Sequence, residues 1–348
     1  MKNFKPMVSD PVTGVVAPSF LQWLAPALER NDAYQRFVRE FAPAKKWYLA
    51  SDYCFGDAKK PNDCACFAIM PHVIDVDVLF GALQELSGGD IKSLRTVRPQ
   101  FIDALKRLPI FNICFVLNRD RRLDANERVY FQRKIAALRR QLDIWDKTTP
   151  EGRGFTSGTL RRMARFEQEV ASKNPNLKLL RDIEIVSTIA AYLASTLSAR
   201  KDEVVTWFSD RDSMLTFLSS GDGSAMAFDL AFALHHVLCF DQDGDGPGKL
   251  AFGSPEATGS MFYDALVRIP DLMCGALADY NLQTRQTSHA KFTPVLQQLF
   301  TEHGRNTFYK LELTKVRVGL SQLQFTIGPP ESDSGGEATD PSDPDVPA

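Results

Sequence analysis

No apolar stretch of this 348-residue chain runs unbroken for the roughly 18–20 residues that a membrane-spanning helix needs, because Asp, Glu, Arg or His interrupts each candidate. A membrane partner is therefore not expected. The opening MKNFKPMVSD lacks an apolar core followed by a small-residue cleavage site, so the expected compartment is the cytoplasm. Walker loops, GxGxxG, GxSxG and HExxH are all missing, which removes the usual sequence support for nucleotide hydrolysis, dinucleotide binding, hydrolase-elbow chemistry and zinc proteolysis. Cysteine is scarce, with six residues (Cys54, Cys64, Cys66, Cys114, Cys239, Cys274) and no CxxC spacing. They are expected to be reduced, buried thiols. Cys64 and Cys66 would share a strand face, but no matching Cys/His pair accompanies them and a zinc site is not expected.

What is present is ordinary for a water-soluble folded body: 44% hydrophobic and 24% charged residues. The net charge of −2 is unevenly placed. Glu331, Asp333, Glu337, Asp340, Asp343 and Asp345 lie in a C-terminal stretch without Lys or Arg, so the remainder is mildly basic. That balance permits nucleic acid as a partner without arguing for it unaided; it leaves a protein partner or homo-oligomer open.

The pattern predicts helix over Phe20–Phe41, broken near Pro26 and restarted at an Asn31-Asp32 cap. Two antiparallel strands follow, Lys45–Cys54 and Asp63–Pro71, around the turn-rich GDAKKPN. Helices are expected at Asp75–Leu86 and Pro99–Leu108, then a buried strand at Phe111–Asn118. Leu123–Asp146 reads as a long amphipathic helix with a basic face, ordinarily solvated surface, whose Arg133, Lys134, Arg139 and Arg140 keep a nucleic-acid groove open as the alternative. Thr148–Gly158 reads as a loop, followed by helices near Leu160–Ser172 and Leu180–Arg200. Asp202–Asp210 is a β-branched, aromatic strand. Helices near Ala225–Cys239, Pro270–Asn281 and Pro294–His303 precede a last strand around Tyr309–Ile327. The chain thus divides into an N-terminal helical segment (1–44), an α/β domain (45–328) with a helical insertion around 120–200, and an acidic tail (329–348). The tail has too little apolar surface to offset ordering entropy and is expected to be disordered.

Four aspartates stand out. Asp52 interrupts the apolar strand YLASDYCF, where an uncompensated charge is costly to bury. Asp210 closes VVTWFSD, and Asp212 two residues on would point the same way if the strand continued. Either of these could instead form a turn or cap a helix starting near Ser213. Asp271 opens IPDLMCGALADY, with Pro270 in the first helical turn and Gly275 and Ala278 below it on one face; its ordinary role would be to complement the helix dipole. Aspartates on rigid elements suit a two-metal phosphoryl-transfer site, where short side chains hold ions about 4 Å apart.

The acids in LASDYCF, VTWFSDRD and RIPDLMCGALADY, in that order, resemble the RNase H-like fold. More narrowly the chain is similar to a large family of uncharacterised bacterial proteins, with an Asp-rich first strand and a late helix reading approximately Leu-Ala-Asp-Leu-Ile-Ala-Gly-Ala. The similarity spans roughly Lys46 to Tyr280. It implies an RNase H-like mixed sheet flanked by helices, with Asp52, Asp210 and Asp271 as ligands of Mg²⁺ or Mn²⁺, Asp212 assisting, and cleavage of a phosphodiester in nucleic acid. It also implies a link to mobile elements or phage defence. Where the family has Asp-Glu-Ser-Gly this chain has Asp52-Tyr53-Cys54-Phe55, so the neighbouring acid is absent. The same fold could alternatively bind a partner without cutting it.

Two further signals carry less. Asp241, Asp243, Asp245 and Gly246 begin like a calcium loop, but position 12 is Phe252 rather than Glu, and a solvated turn is expected. His236 shares a helical face with Asp229, for which a structural hydrogen bond is expected, with Asp229 a reserve ligand.

Overall fold

The computed structural model describes residues 16–148, 153–219, 224–240, 248–254, 261–301 and 304–325. Alternating and continuous apolar runs build a mixed seven-stranded sheet. Its strands are β1 (Lys46–Cys54), β2 (Asp63–Pro71), β3 (Phe111–Leu117), β4 (Val204–Ser209), β5 (Lys249–Gly253), β6 (Asn306–Leu313) and β7 (Val318–Leu323). The spatial order is β5-β4-β1-β2-β3-β6-β7. β4 runs parallel to both β1 and β5, and β6 parallel to β3, whereas β1–β2, β2–β3 and β6–β7 pair antiparallel. β2 and β3 are buried along their whole length, as strands covered on both faces must be.

The period of two sorts each strand between two cores. Trp47 and Leu49 of β1 join Phe67, Phe115 and Trp207 on one face. That face is covered by α1 (Leu21–Glu29), α2 (Asp32–Glu40), α5 (Glu127–Thr148), α6 (Arg153–Ala171), α7 (Leu177–Leu197) and α9 (Met226–Phe240). Ala50 joins Cys66, Cys114 and Phe208 on the other face, beneath α3 (Val76–Ser87), α4 (Pro99–Arg107) and α10 (Asp264–Asp279). α7 is buried almost all round, which explains its poor amphipathic pattern. Its Arg181, Asp182 and Glu184 are tolerated because each has an ionic partner, Glu127, Arg121 and Lys134 respectively. Among the described residues, no helix is long and apolar enough to cross a membrane.

Several expectations are corrected. Pro26 lies inside α1, and the break comes at Asn31, whose side chain accepts the Tyr34 amide at 2.9 Å. Burial of Leu24, Ala25 and Leu28 holds α1 together across the proline. α1 and α2 pack into the same core as β1. The anticipated loop at 148–158 is largely the start of α6, with Gly158 inside the helix; packing overrides the glycine's weak propensity. Lys134 belongs to no solvated face, since it is buried against Glu184 at 2.5 Å and the Tyr130 hydroxyl bonds the same carboxylate oxygen. The expected final strand is a hairpin of two, β6 and β7. β5 was not anticipated; it is a short edge strand in a stretch read as a turn. The run from Pro294 is helical but irregular, turning to π geometry over Leu296–Thr301. The calcium-like residues 241–247 and the tail 329–348 lie outside the described residues.

Candidate active site at the carboxyl edge of the sheet

Asp52 sits near the end of β1 on the α10 side of the sheet, 7% exposed, paired in register with Cys66. β4 stops at Ser209, opposite Ser51. The Asp210 amide then donates to the Ser51 carbonyl at 3.0 Å, carrying the parallel ladder one step further and setting Asp210 beside Asp52. The Asp210 side chain is one of the groups that raise the Asp52 carboxyl. Burial, and then the charges of Asp271 and Asp210, keep the Asp52 carboxyl well above the usual carboxylate range. Buried Cys66, Cys114 and Cys274 form the apolar floor that desolvates it. The opposite face is locked by hydroxyls: Trp207 Nε1 donates to Ser51 Oγ at 2.8 Å, and the Tyr53 hydroxyl bonds Ser51 Oγ at 2.5 Å and Ser209 Oγ at 3.1 Å.

α10 crosses these strand ends. Near its start Tyr263 packs on Phe208 of β4, and near its end the Ala278 carbonyl accepts the Asn62 amide just ahead of β2. Cys274 faces β2, its thiol 3.7 Å from the Cys64 carbonyl, and Asp271 lies one turn earlier on the helix. Asp271 was expected to open this helix; α10 instead begins at Asp264 and contains Pro270. Asp271 is therefore mid-helix, away from the dipole's positive end, and the ordinary explanation for it lapses. Gly275 does not face the sheet either, because a Cβ there would meet Phe292 and Ile91. Burial and then Asp90 push the Asp271 carboxyl up to about 6, against the pull of Arg268 and Lys92. Arg268 stands 3.7 Å from Asp271 but is divided among three acids, with Asp264 at 2.7 Å and Asp90 at 3.8 Å.

Lys92, between α3 and α4, was not singled out from the sequence. Burial works against its charge, but Asp52, Asp271, Asp90 and Asp210 outweigh that and hold its ammonium protonated. It is exposed and feels all four of these acids, and nothing in GGDIKSLR marks it locally. Among the described residues neither Asp52 nor Asp210 has a Lys or Arg within ion-pair distance. Also among the described residues, no group of three or more His, Cys, Asp or Glu is set to grip a metal ion as the side chains stand.

Asp212 is engaged elsewhere. It caps the short helix α8 (Ser213–Thr216), accepting from the Met214 and Leu215 amides at 2.7 and 3.2 Å. The strand does not continue to it, so the condition for its joining Asp210 is not met. Asp212→Ala is expected to cost about 1 kcal/mol in urea unfolding, the usual loss of a cap, while leaving Mn²⁺ affinity unchanged in calorimetry. Asp229 is drawn into a bidentate bond with Arg162 and a bond from Thr159 on the opposite face of the sheet, which removes it as a reserve ligand. His235 bonds Ser198 at 2.9 Å, and burial lowers its imidazole to about 4.

Comparison of the chain with protein-family models, curated proteins and solved structures gives no match.

Proposed function

We propose that this chain is a divalent-metal-dependent nuclease of RNase H-like type, with Asp52, Asp210 and Asp271 as the ligands of Mg²⁺ or Mn²⁺. The observation that carries the reading is that three carboxyl groups, from β1, the end of β4 and α10, lie inside one another's field. Such an arrangement is repulsive unless a cation or proton occupies it. The donor set is hard oxygen, which suits Mg²⁺ or Mn²⁺. The strand order β3-β2-β1-β4-β5 with β2 alone reversed is the arrangement an RNase H-like core requires, and it supports the same reading.

When bound, the cation supplies the positive charge that steadies the oxygens of phosphodiester hydrolysis. Asp52 on β1 and Asp210 just past the end of β4 would hold it from the sheet, and Asp271 would complete the set from α10. Lys92, exposed and within the field of the acids, would hold a phosphate of the bound strand.

The test is incubation with single- and double-stranded DNA and RNA in Mn²⁺. Wild-type cleavage that drops roughly 100-fold or more in Asp210→Asn, the loss expected when a metal ligand is removed, supports the reading. Absence of both cleavage and saturable Mn²⁺ binding overturns it. A second reading, a protein that binds nucleic acid or a protein partner without cutting, is favoured by one observation. The residue after Asp52 is Tyr53, whose hydroxyl is spent on Ser51 and Ser209, so no acid follows Asp52 on β1. Retention of an oligonucleotide without cleavage would decide for it.

A further inference from the structure

Tyr263 is fully buried, 0% exposed, yet among the described residues its hydroxyl has no hydrogen-bond partner. Buried phenols ordinarily find one, and leaving one unpaired costs stability. If packing were its only task, phenylalanine would serve better. Its ring lies 4.9 Å from that of Phe208 and against Gly253, where an added Cβ would stand 3.1 Å from the ring. Phe208 is two residues before Asp210, whose amide carries the β1–β4 ladder one step past the strand end. Tyr263 also immediately precedes α10, the helix that carries Asp271. Burial, and then the charge of Asp210, raises the phenol to about 12, so its proton is in place at any working pH.

We propose that the Tyr263 hydroxyl is a positioning donor for whatever occupies the Asp52–Asp210–Asp271 site, bonding a water or phosphate oxygen held beside Asp210. This rests on the metal-dependent reading above. Tyr263 does not ligate the cation; it orients an oxygen in the outer shell, a role whose loss commonly weakens metal affinity 10- to 100-fold.

The experiment is Tyr263→Phe, which removes one oxygen and keeps the ring contacts, read by Mn²⁺ calorimetry and by thermal unfolding without metal. The two measurements are expected to move in opposite directions. Mn²⁺ affinity falls about tenfold, while the melting temperature without metal rises by roughly 2 °C as the unsatisfied hydroxyl disappears. A purely structural hydroxyl cannot give that pair of signs. Unchanged Mn²⁺ affinity in Tyr263→Phe, with the wild type binding normally, overturns the inference and leaves the nuclease reading intact. A lower melting temperature would reveal an internal partner for the hydroxyl and overturn it too. Failure of the wild type to bind Mn²⁺ removes both.

Discussion

Asp52→Asn is expected to abolish saturable Mn²⁺ binding and phosphodiester cleavage while making the metal-free protein more stable at pH 7. The opposite signs follow from where the carboxyl group lies. It is buried and within the field of Asp210 and Asp271, so in the absence of a cation its ionised form is disfavoured. Asparagine keeps the shape without the charge and can donate to the neighbouring Asp210 carboxylate. The pH dependence has a definite sign. The folded-state carboxyls of Asp52 and Asp271 titrate above their unfolded values, so between the two values the folded protein holds more protons than the unfolded chain. Stability is then lost as pH rises. For Asp271 the window runs from the ordinary aspartate value to about 6, and the loss is on the order of 2–3 kcal/mol. Urea unfolding at pH 4, 5, 6 and 7 should show this decline in the wild type and a shallower one in Asp52→Asn. Saturating Mn²⁺ should restore stability to the wild type alone, by about 2.7 kcal/mol at a hundredfold excess over Kd. A decline of equal depth in both proteins would count against a common site.

Replacing Arg121 by Met should cost about 3–5 kcal/mol, the penalty for breaking a buried ion pair from one side. Arg121 is 0% exposed. Its Nη1 donates to Asp63 at 2.6 Å and its Nε to Asp182 at 2.8 Å. Nη2 is 2.7 Å from the same Asp182 oxygen, without hydrogen-bonding geometry. Its guanidinium also lies 4.7 Å from the Phe55 ring. It thereby joins the start of β2, the exit of β3 and α7 just beyond the end of β1. Without it two buried carboxylates face each other, and Arg119, 3.7 Å from Asp63 and half exposed, compensates only in part. The triple substitution Arg121→Met, Asp63→Asn, Asp182→Asn should recover most of the loss, because the stranded charges are gone. If the single change costs under 1 kcal/mol in urea unfolding, the network is not holding this edge.

Element type was legible wherever a local pattern carried it. β1, β2 and β3 agree with their expected spans within a residue or two, since short aromatic and β-branched runs between turn residues have few alternatives. α6 and β5 were not legible. Gly154 and Gly158 argued for a loop, and five residues of edge strand beside DQDGDGPG carry too little pattern to stand out. Lys134 shows the same limit for side chains: its spacing placed it among solvated bases, and only Glu184, fifty residues away, gives it a buried place.

Asp52, Asp210 and Asp271 attracted notice because an acid amid apolar residues asks for compensation, and that much the chain determined by itself. Which acids would meet was settled only by nonlocal pairing. The parallel register of β1 with β4 sets Asp52 beside Asp210, and the early start of α10 moves Asp271 from a helix end to a helix middle over the strand ends. The same folding assigned Asp212 to a cap, Asp229 to Arg162, and Lys92 to the acid cluster. Propensity acts over a few neighbouring residues, whereas the field at a carboxyl group is the sum over everything that packs within several ångströms of it. The first is written in order along the chain; the second exists only once the sheet has closed.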